Sequence, residues 1–120
     1  MKLLVVTSKQ NQPTFQAVSK QVAGEKIFCD YDEALERLLV DEPTHVLLDV
    51  DGALIEGGKD SKSKAQNILR DLRQTASADQ KVFVTSFQRR ADIGSDVEDK
   101  DFLRMPYTAP QLELFLSGAG

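Results

Sequence analysis

Two carboxylates, Asp49 and Asp51, stand just beyond a short apolar run, Val46-Leu47-Leu48, in a chain of 120 residues. Hydroxyl-bearing pairs close two similar runs. Thr7 and Ser8 follow Leu3-Leu4-Val5-Val6, and Thr85 and Ser86 follow Val82-Phe83-Val84. Asp30 follows Ile27-Phe28-Cys29, and Met105-Pro106 comes just after Phe102-Leu103. Carboxylates and other oxygen donors are what a hard cation such as Mg²⁺ takes. Asp49 and Asp51 are therefore the positions a metal would use, and Asp51 also has the chemistry of a base. Cys29 is the sole cysteine and His45 the sole histidine. These counts exclude an internal disulfide, a Cys-rich zinc site and most His-based metal sites, and they disfavour a Ser-His-Asp triad.

What must position these residues is an alternation of strand-like runs and helix-period segments. Phe15, Val18 and Val22 recur at helical spacing over residues 12–23, and Pro13 suits a first turn. Asp30 and Glu33 have capping-box spacing ahead of the stripe Ala34, Leu35, Leu38 and Leu39. Glu42-Pro43 stops that helix. Residues 51–63 are polar and glycine-bearing and read as an exposed loop, with 56–64 solvated. Gly57-Gly58-Lys59 does not complete a phosphate loop, because Ala53 and Asp60 stand where the pattern needs Gly and Ser or Thr. Ala65, Ile68, Leu69 and Leu72 give the next stripe. Residues 88–98 are weakly patterned, so a helix there is short. Thr108 and Gln111 cap a last stripe of Leu112, Phe115 and Leu116.

The order is (βα)₅. Short continuous apolar runs fit strands buried on both faces of a parallel sheet. Right-handed crossovers then give an α/β, flavodoxin-like, doubly wound three-layer sandwich with five parallel strands, one domain over 1–120. Ligands in such sheets bind beyond the carboxyl ends of the strands. That rule gathers Thr7, Ser8, Asp30, Asp49, Asp51, Thr85, Ser86 and Met105 at one end. It leaves His45, at the start of its run, at the other end as a structural residue. Cys29 reads as a small buried hydrophobe.

The segments THVLLDVDG, KVFVTS and DFLRMPYTAPQLELFL resemble the third strand, fourth strand and closing strand–turn–helix of response-regulator receiver domains, over nearly the whole chain. The resemblance implies that Asp49 is the phospho-acceptor position, that Thr85 is the hydroxyl contacting the phosphoryl group, and that Phe102 is the aromatic switch. It also implies departures. Receivers carry an acidic pair after the first strand that binds Mg²⁺, and this chain has Thr7-Ser8. Receivers carry a lysine before the proline, and this chain has Met105. Arg104 points to the other face by strand alternation, and Lys9 is the basic residue able to swing in from the first loop. Phosphoryl transfer to a carboxylate brings anions together and depends on charge neutralisation. The chain therefore reads as an atypical receiver, a pseudo-receiver with an eroded site, no resident cofactor and at most weak Mg²⁺ binding. A Thr7 or Ser8 hydroxyl is expected to donate to Asp49, and Asp49→Asn is expected to bring no gain in stability.

Two alternatives stay open. One is a functional receiver phosphorylated on Asp49. The other is a small phosphatase, because LLDVDGALI resembles the first motif of haloacid-dehalogenase-type phosphatases. There Asp49 would be the nucleophile, Asp51 the acid/base, and Asp96 and Asp99 metal ligands. Against it, Asp49 ends the third run rather than the first.

The chain carries 15 basic and 19 acidic residues, a net charge of −4. That argues against nucleic acid as a partner. No apolar run approaches the ~20 residues of a membrane span, and Met1-Lys2 leads straight into a strand-like run rather than a leader. The expected setting is cytoplasmic. The expected partners are proteins, a histidine kinase or an output protein, with a homodimer formed through the last two helices and the fifth strand.

Overall fold

The computed structural model describes residues 1–52, 61–93 and 97–118, with the backbone alone at 61–63. Five strands form one parallel sheet: β1 (Lys2–Val6), β2 (Glu25–Cys29), β3 (His45–Asp49), β4 (Lys81–Ser86) and β5 (Phe102–Arg104). Their order is β2-β1-β3-β4-β5. Among the described residues, helices α1 (Gln12–Ser19), α2 (Ala34–Asp41), α3 (Ser61–Thr75), α4 (Arg90–Ile93) and α5 (Ala109–Ser117) connect or follow them. This is the flavodoxin-like arrangement expected from the alternating pattern.

Strand alternation divides the apolar residues between two cores. Leu3 and Val5 of β1, Leu47 of β3 and Phe83 of β4 pack with Phe15 of α1 and with Leu112 and Leu116 of α5. Leu4 and Val6, Val46 and Leu48, and Val84 pack on the opposite face with Leu38 of α2 and Leu69 and Leu72 of α3. Consecutive apolar residues are needed here because both faces of each central strand are covered. Each such leucine contributes roughly 2 kcal/mol by leaving water.

Local signals set the helix ends. Pro13 lies in the first turn of α1. The Asp30 side chain accepts from the Glu33 N–H, but it caps a 3₁₀ turn, Tyr31–Glu33, that precedes α2. Thr108 and Gln111 form a reciprocal capping box on α5. α1 ends at Ser19, earlier than the expected 23. The polar stretch also differs from its reading as a loop. Residues 50–52 turn helical directly after β3, and residues 61–63 are already helical. Residues 53–60, with Gly57-Gly58-Lys59, lie outside the described residues. The described part of α4 is Arg90–Ile93. Among the described residues no helix is long and apolar enough to cross a membrane.

Glu42 ends α2 in the left-handed region, at φ 48°. A Cβ is strained there, and glycine is not. Glu42 is exposed, so little packing is lost on substitution. Glu42→Gly is expected to raise stability by about 0.5 kcal/mol, the strain relief exceeding the added entropy of the unfolded chain. A higher Tm in thermal denaturation is the result that checks it.

Candidate functional site

The site is a row of side chains at the carboxyl ends of the central strands. Register pairs Val6 with Leu48, so Thr7 comes level with Asp49, and Asp49 pairs with Thr85. Alternation then sends Thr7, Asp49 and Thr85 to the face that carries Leu47 and Phe83. That face is covered by α1 and by the turn between β5 and α5.

Asp49 is fully buried, with 0% of its surface exposed. Its Oδ2 accepts from the Thr7 hydroxyl at 2.7 Å and from the Asn11 side-chain amide at 3.1 Å. Its Oδ1 accepts from the Asp51 backbone N–H at 3.0 Å. Tyr31 closes the back of the site, its hydroxyl donating to the Asp49 carbonyl. Gly52 forms the roof. A Cβ there would lie 2.8 Å from Asp49 Oδ2 and 3.0 Å from Ser8 N. Burial pushes the Asp49 pKa up, while hydrogen bonds from Thr7, Asn11 and the Gly52 backbone oppose the rise, and the nearby Asp51 charge adds a lesser push. Among the described residues the repulsion on Asp49 comes from Asp51 and is the least of these effects, while burial is the largest.

The other candidate residues are distributed as follows. Ser8 faces away from Asp49, and its hydroxyl accepts from the Asn11 N–H at 3.2 Å at the start of α1. Thr85 is buried, with its hydroxyl committed to the Leu103 carbonyl at 2.7 Å. Tyr107 packs beside it. Burial raises the Tyr107 pKa, with the Thr85 hydroxyl near enough to oppose the rise but not aligned for a hydrogen bond. Phe102 is half-buried against the Leu4–Val84 core, on the face opposite Thr85. Met105 packs with the α1–α5 core. Arg104 is turned out, its Nε donating to the Phe87 carbonyl at 3.3 Å. Lys9 is exposed. Asp30 caps the 3₁₀ turn and takes no part in the row.

Asn11 was missed by sequence reasoning. It directly precedes α1, where an asparagine ordinarily caps the helix. Here its side chain leaves the helix N–H groups and reaches Asp49 instead. The available signal was position: an amide in the loop after β1, the same loop that carries Thr7 and Ser8.

Asp51 points away from Asp49. Its carboxylate accepts from the Ser86 hydroxyl at 2.6 Å and from the Phe87 N–H at 2.7 Å. Among the described residues, Asp49 and Asp51 are the two carboxylates of the site able to hold a cation, and both have protein donors on both oxygens. Thr7 and Ser8 add neutral oxygens alone. Mg²⁺ binding asks for carboxylate oxygens with open positions for water, and this donor set does not match.

His45 sits at the far end of β3, stacked on Phe83 at 6.0 Å, with burial lowering its pKa. Cys29 is buried, and desolvation raises its thiol to about 12, which makes it unreactive at neutral pH. Asp99 lies in the 3₁₀ turn that leads into β5, at the end of the sheet opposite Asp49, and pairs with Arg90. The Asp99 carboxylate is thus engaged with Arg90 rather than with Asp49. Asp96 lies outside the described residues.

No family model and no curated protein matches this chain in sequence. Solved structures do match its fold. The signal receiver domain of a putative LuxO repressor protein from Vibrio parahaemolyticus superposes with a TM-score of 0.67 at 17% identity, covering 98% of this chain and 91% of that one. A signal receiver domain of a two-component histidine kinase from Clostridium thermocellum gives 0.62 at 13%, covering 98% and 95%. A fusion protein carrying a yeast trimeric coiled coil gives 0.70 at 16%, covering 99% and 78%. The chain has the fold of signal receiver domains, formed at low sequence identity to them.

Proposed function

We propose that this chain is a receiver-like signalling module that acts by contacting other proteins in two-component-type signal transduction, independently of phosphorylation. The observation that carries this reading is the state of Asp49. The carboxylate at the phospho-acceptor position is fully buried, and Thr7, Asn11 and the Asp51 N–H occupy its oxygens. An attacking carboxylate needs an open in-line approach and cationic charge beside it. Met105 supplies no charge, and Thr7 and Ser8 supply no carboxylate. Thr85, with its hydroxyl bound to Leu103, and Phe102, on the opposite face, serve the packing of β4 against β5 in this reading.

The partners are proteins, either a histidine kinase or an output protein, in the cytoplasm. The surface of α4, β5 and α5 is the proposed contact, including self-association. β5 is an edge strand of three residues, and Leu114 on α5 is 54% exposed. Leu114 borders a groove lined by Leu103, Pro106, Tyr107 and Phe115, and exposed apolar surface of this kind favours an interface there.

The test is an amide-proton NMR titration, first with Mg²⁺ and then with beryllofluoride. A flat response at Asp49, Thr85 and Phe102 is the expected result. Saturable shifts at these residues would establish a working phospho-site and overturn the reading.

A further inference from the structure

The turn after β4 is tied to one side chain from the turn after β3. Asp51 Oδ1 accepts from the Ser86 hydroxyl at 2.6 Å, and Oδ2 from the Phe87 N–H at 2.7 Å. The Gln88 side-chain amide adds a longer contact of 3.4 Å to Oδ1. Ser86 Oγ in turn accepts from the Gln88 N–H at 3.0 Å. Three consecutive residues, 86–88, thus hang on one carboxylate. Asp51 is itself held, because its own N–H donates to Asp49.

The turn held this way carries Phe87, a residue 58% exposed. Phe87 also forms one wall of an apolar cavity of about 110 Å³. Thr14, Phe15 and Val18 of α1 line its other side, with Met105 and Pro106. The position of the 86–88 turn therefore sets both the exposed Phe87 and the shape of the cavity.

We propose that Asp51 is the positioning residue of this turn: its carboxylate is a resident anion that holds segment 86–88, and the surface built on Phe87, in one preset conformation without any group being added to Asp49. Charge-assisted hydrogen bonds of this length are about twice as strong as neutral ones. Two of them on adjacent residues leave the turn little freedom. The inference deepens the reading of a phosphorylation-independent module and rests on it for its consequence in signalling.

The test is native-state amide exchange on Asp51→Ala and Asp51→Asn, followed by NMR in the absence of Mg²⁺ and beryllofluoride. Its failure is thereby separate from that of the titration above. In Asp51→Ala the Phe87 and Gln88 amides are expected to exchange at least tenfold faster than in the parent. The strand-centre amides of Val5 and Leu47 are expected to change less than Phe87 and Gln88. Asparagine retains one carbonyl oxygen for the Phe87 N–H, and its amide is able to donate to a rotated Ser86 hydroxyl. Without the charge those bonds are weaker, so Asp51→Asn is expected to recover part of the protection and to fall between the parent and Asp51→Ala. Unchanged exchange at Phe87 and Gln88 in Asp51→Ala would overturn the proposal. Should Asp51→Ala lose the whole fold, Asp51→Asn decides. Its Phe87 and Gln88 amides are expected to exchange faster than in the parent, by a larger factor than Val5 and Leu47, and equal exchange in mutant and parent would overturn the proposal.

Discussion

Asp49→Ala is expected to destabilise the protein by about 3 kcal/mol, whereas Asp49→Asn is expected to fall within about 1 kcal/mol of the parent, on the stabilising side at neutral pH. Alanine leaves the Thr7 hydroxyl, the Asn11 amide and the Asp51 N–H without their acceptor in a closed space. Buried donors left unpaired cost about 1–3 kcal/mol each when water cannot reach them. Asparagine avoids most of that. Its carbonyl oxygen takes the place of Oδ1 and accepts the Asp51 N–H. Its amide takes the place of Oδ2, where a rotated Thr7 hydroxyl and a flipped Asn11 amide are both able to accept. It also removes a charge that burial disfavours. Urea denaturation of the three proteins at neutral pH checks the order. A loss for asparagine as large as for alanine would mean that the charge is required.

The electrostatics add a pH dependence of definite sign. Burial raises the Asp49 pKa in the folded state above its unfolded value. Between those two values the folded protein binds more protons than the unfolded chain. The contribution of this group to stability therefore falls as pH rises through the window and is recovered on acidification. The parent is expected to gain on Asp49→Asn as pH is lowered from neutrality toward the ordinary carboxylate range. The absence of an acidic pair and the Thr7 hydroxyl bond argue for no gain from Asp49→Asn, and burial of the Asp49 carboxylate argues for a small one.

Gly52→Ala is expected to cost about 2–3 kcal/mol, at the upper end for one added methyl in a packed site. The new Cβ would stand 2.8 Å from Asp49 Oδ2, 3.0 Å from the Ser8 backbone nitrogen, and against the Tyr31 hydroxyl. Ser8 N is backbone and yields least. Asp49 is pinned by three donors, and Tyr31 by its bond to the Asp49 carbonyl. A double-mutant cycle identifies the contact. Tyr31→Phe alone loses a hydrogen bond, about 1 kcal/mol. Combined with Gly52→Ala it removes the atom nearest the new methyl, so the pair is expected to cost less than the sum of the two singles. Strict additivity in urea denaturation would show that the Tyr31 hydroxyl is not the obstacle.

Much of the fold was legible because both governing patterns are local. Continuous runs such as Leu3–Val6 and Val46–Leu48 are what a strand covered on two faces requires, and these segments became β1 and β3. Thr108 and Gln111 met as a capping box because the contact spans three residues and needs no partner from elsewhere. The helical conformation at residues 50–52 and 61–63 was not legible. Polar, glycine-bearing composition describes what solvent tolerates, not which backbone conformation is chosen.

The chemistry divides along the same line. The sequence by itself determined which residue types end the strands, and so the missing acidic pair at Thr7-Ser8 and the missing lysine at Met105. It also determined that Thr7, Asp49 and Thr85 gather at one end of the sheet, since strand order and period fix that placement. What only the tertiary structure decided is where each hydrogen bond goes. Asn11 turns to Asp49, Thr85 to Leu103, and Asp51 to Ser86 and Phe87, all across separations of 18 to 38 residues. A polar side chain at a strand end has several donors and acceptors within reach. The choice among them follows from which groups packing leaves buried and unpaired, a condition set by the closed fold and not written in any local segment.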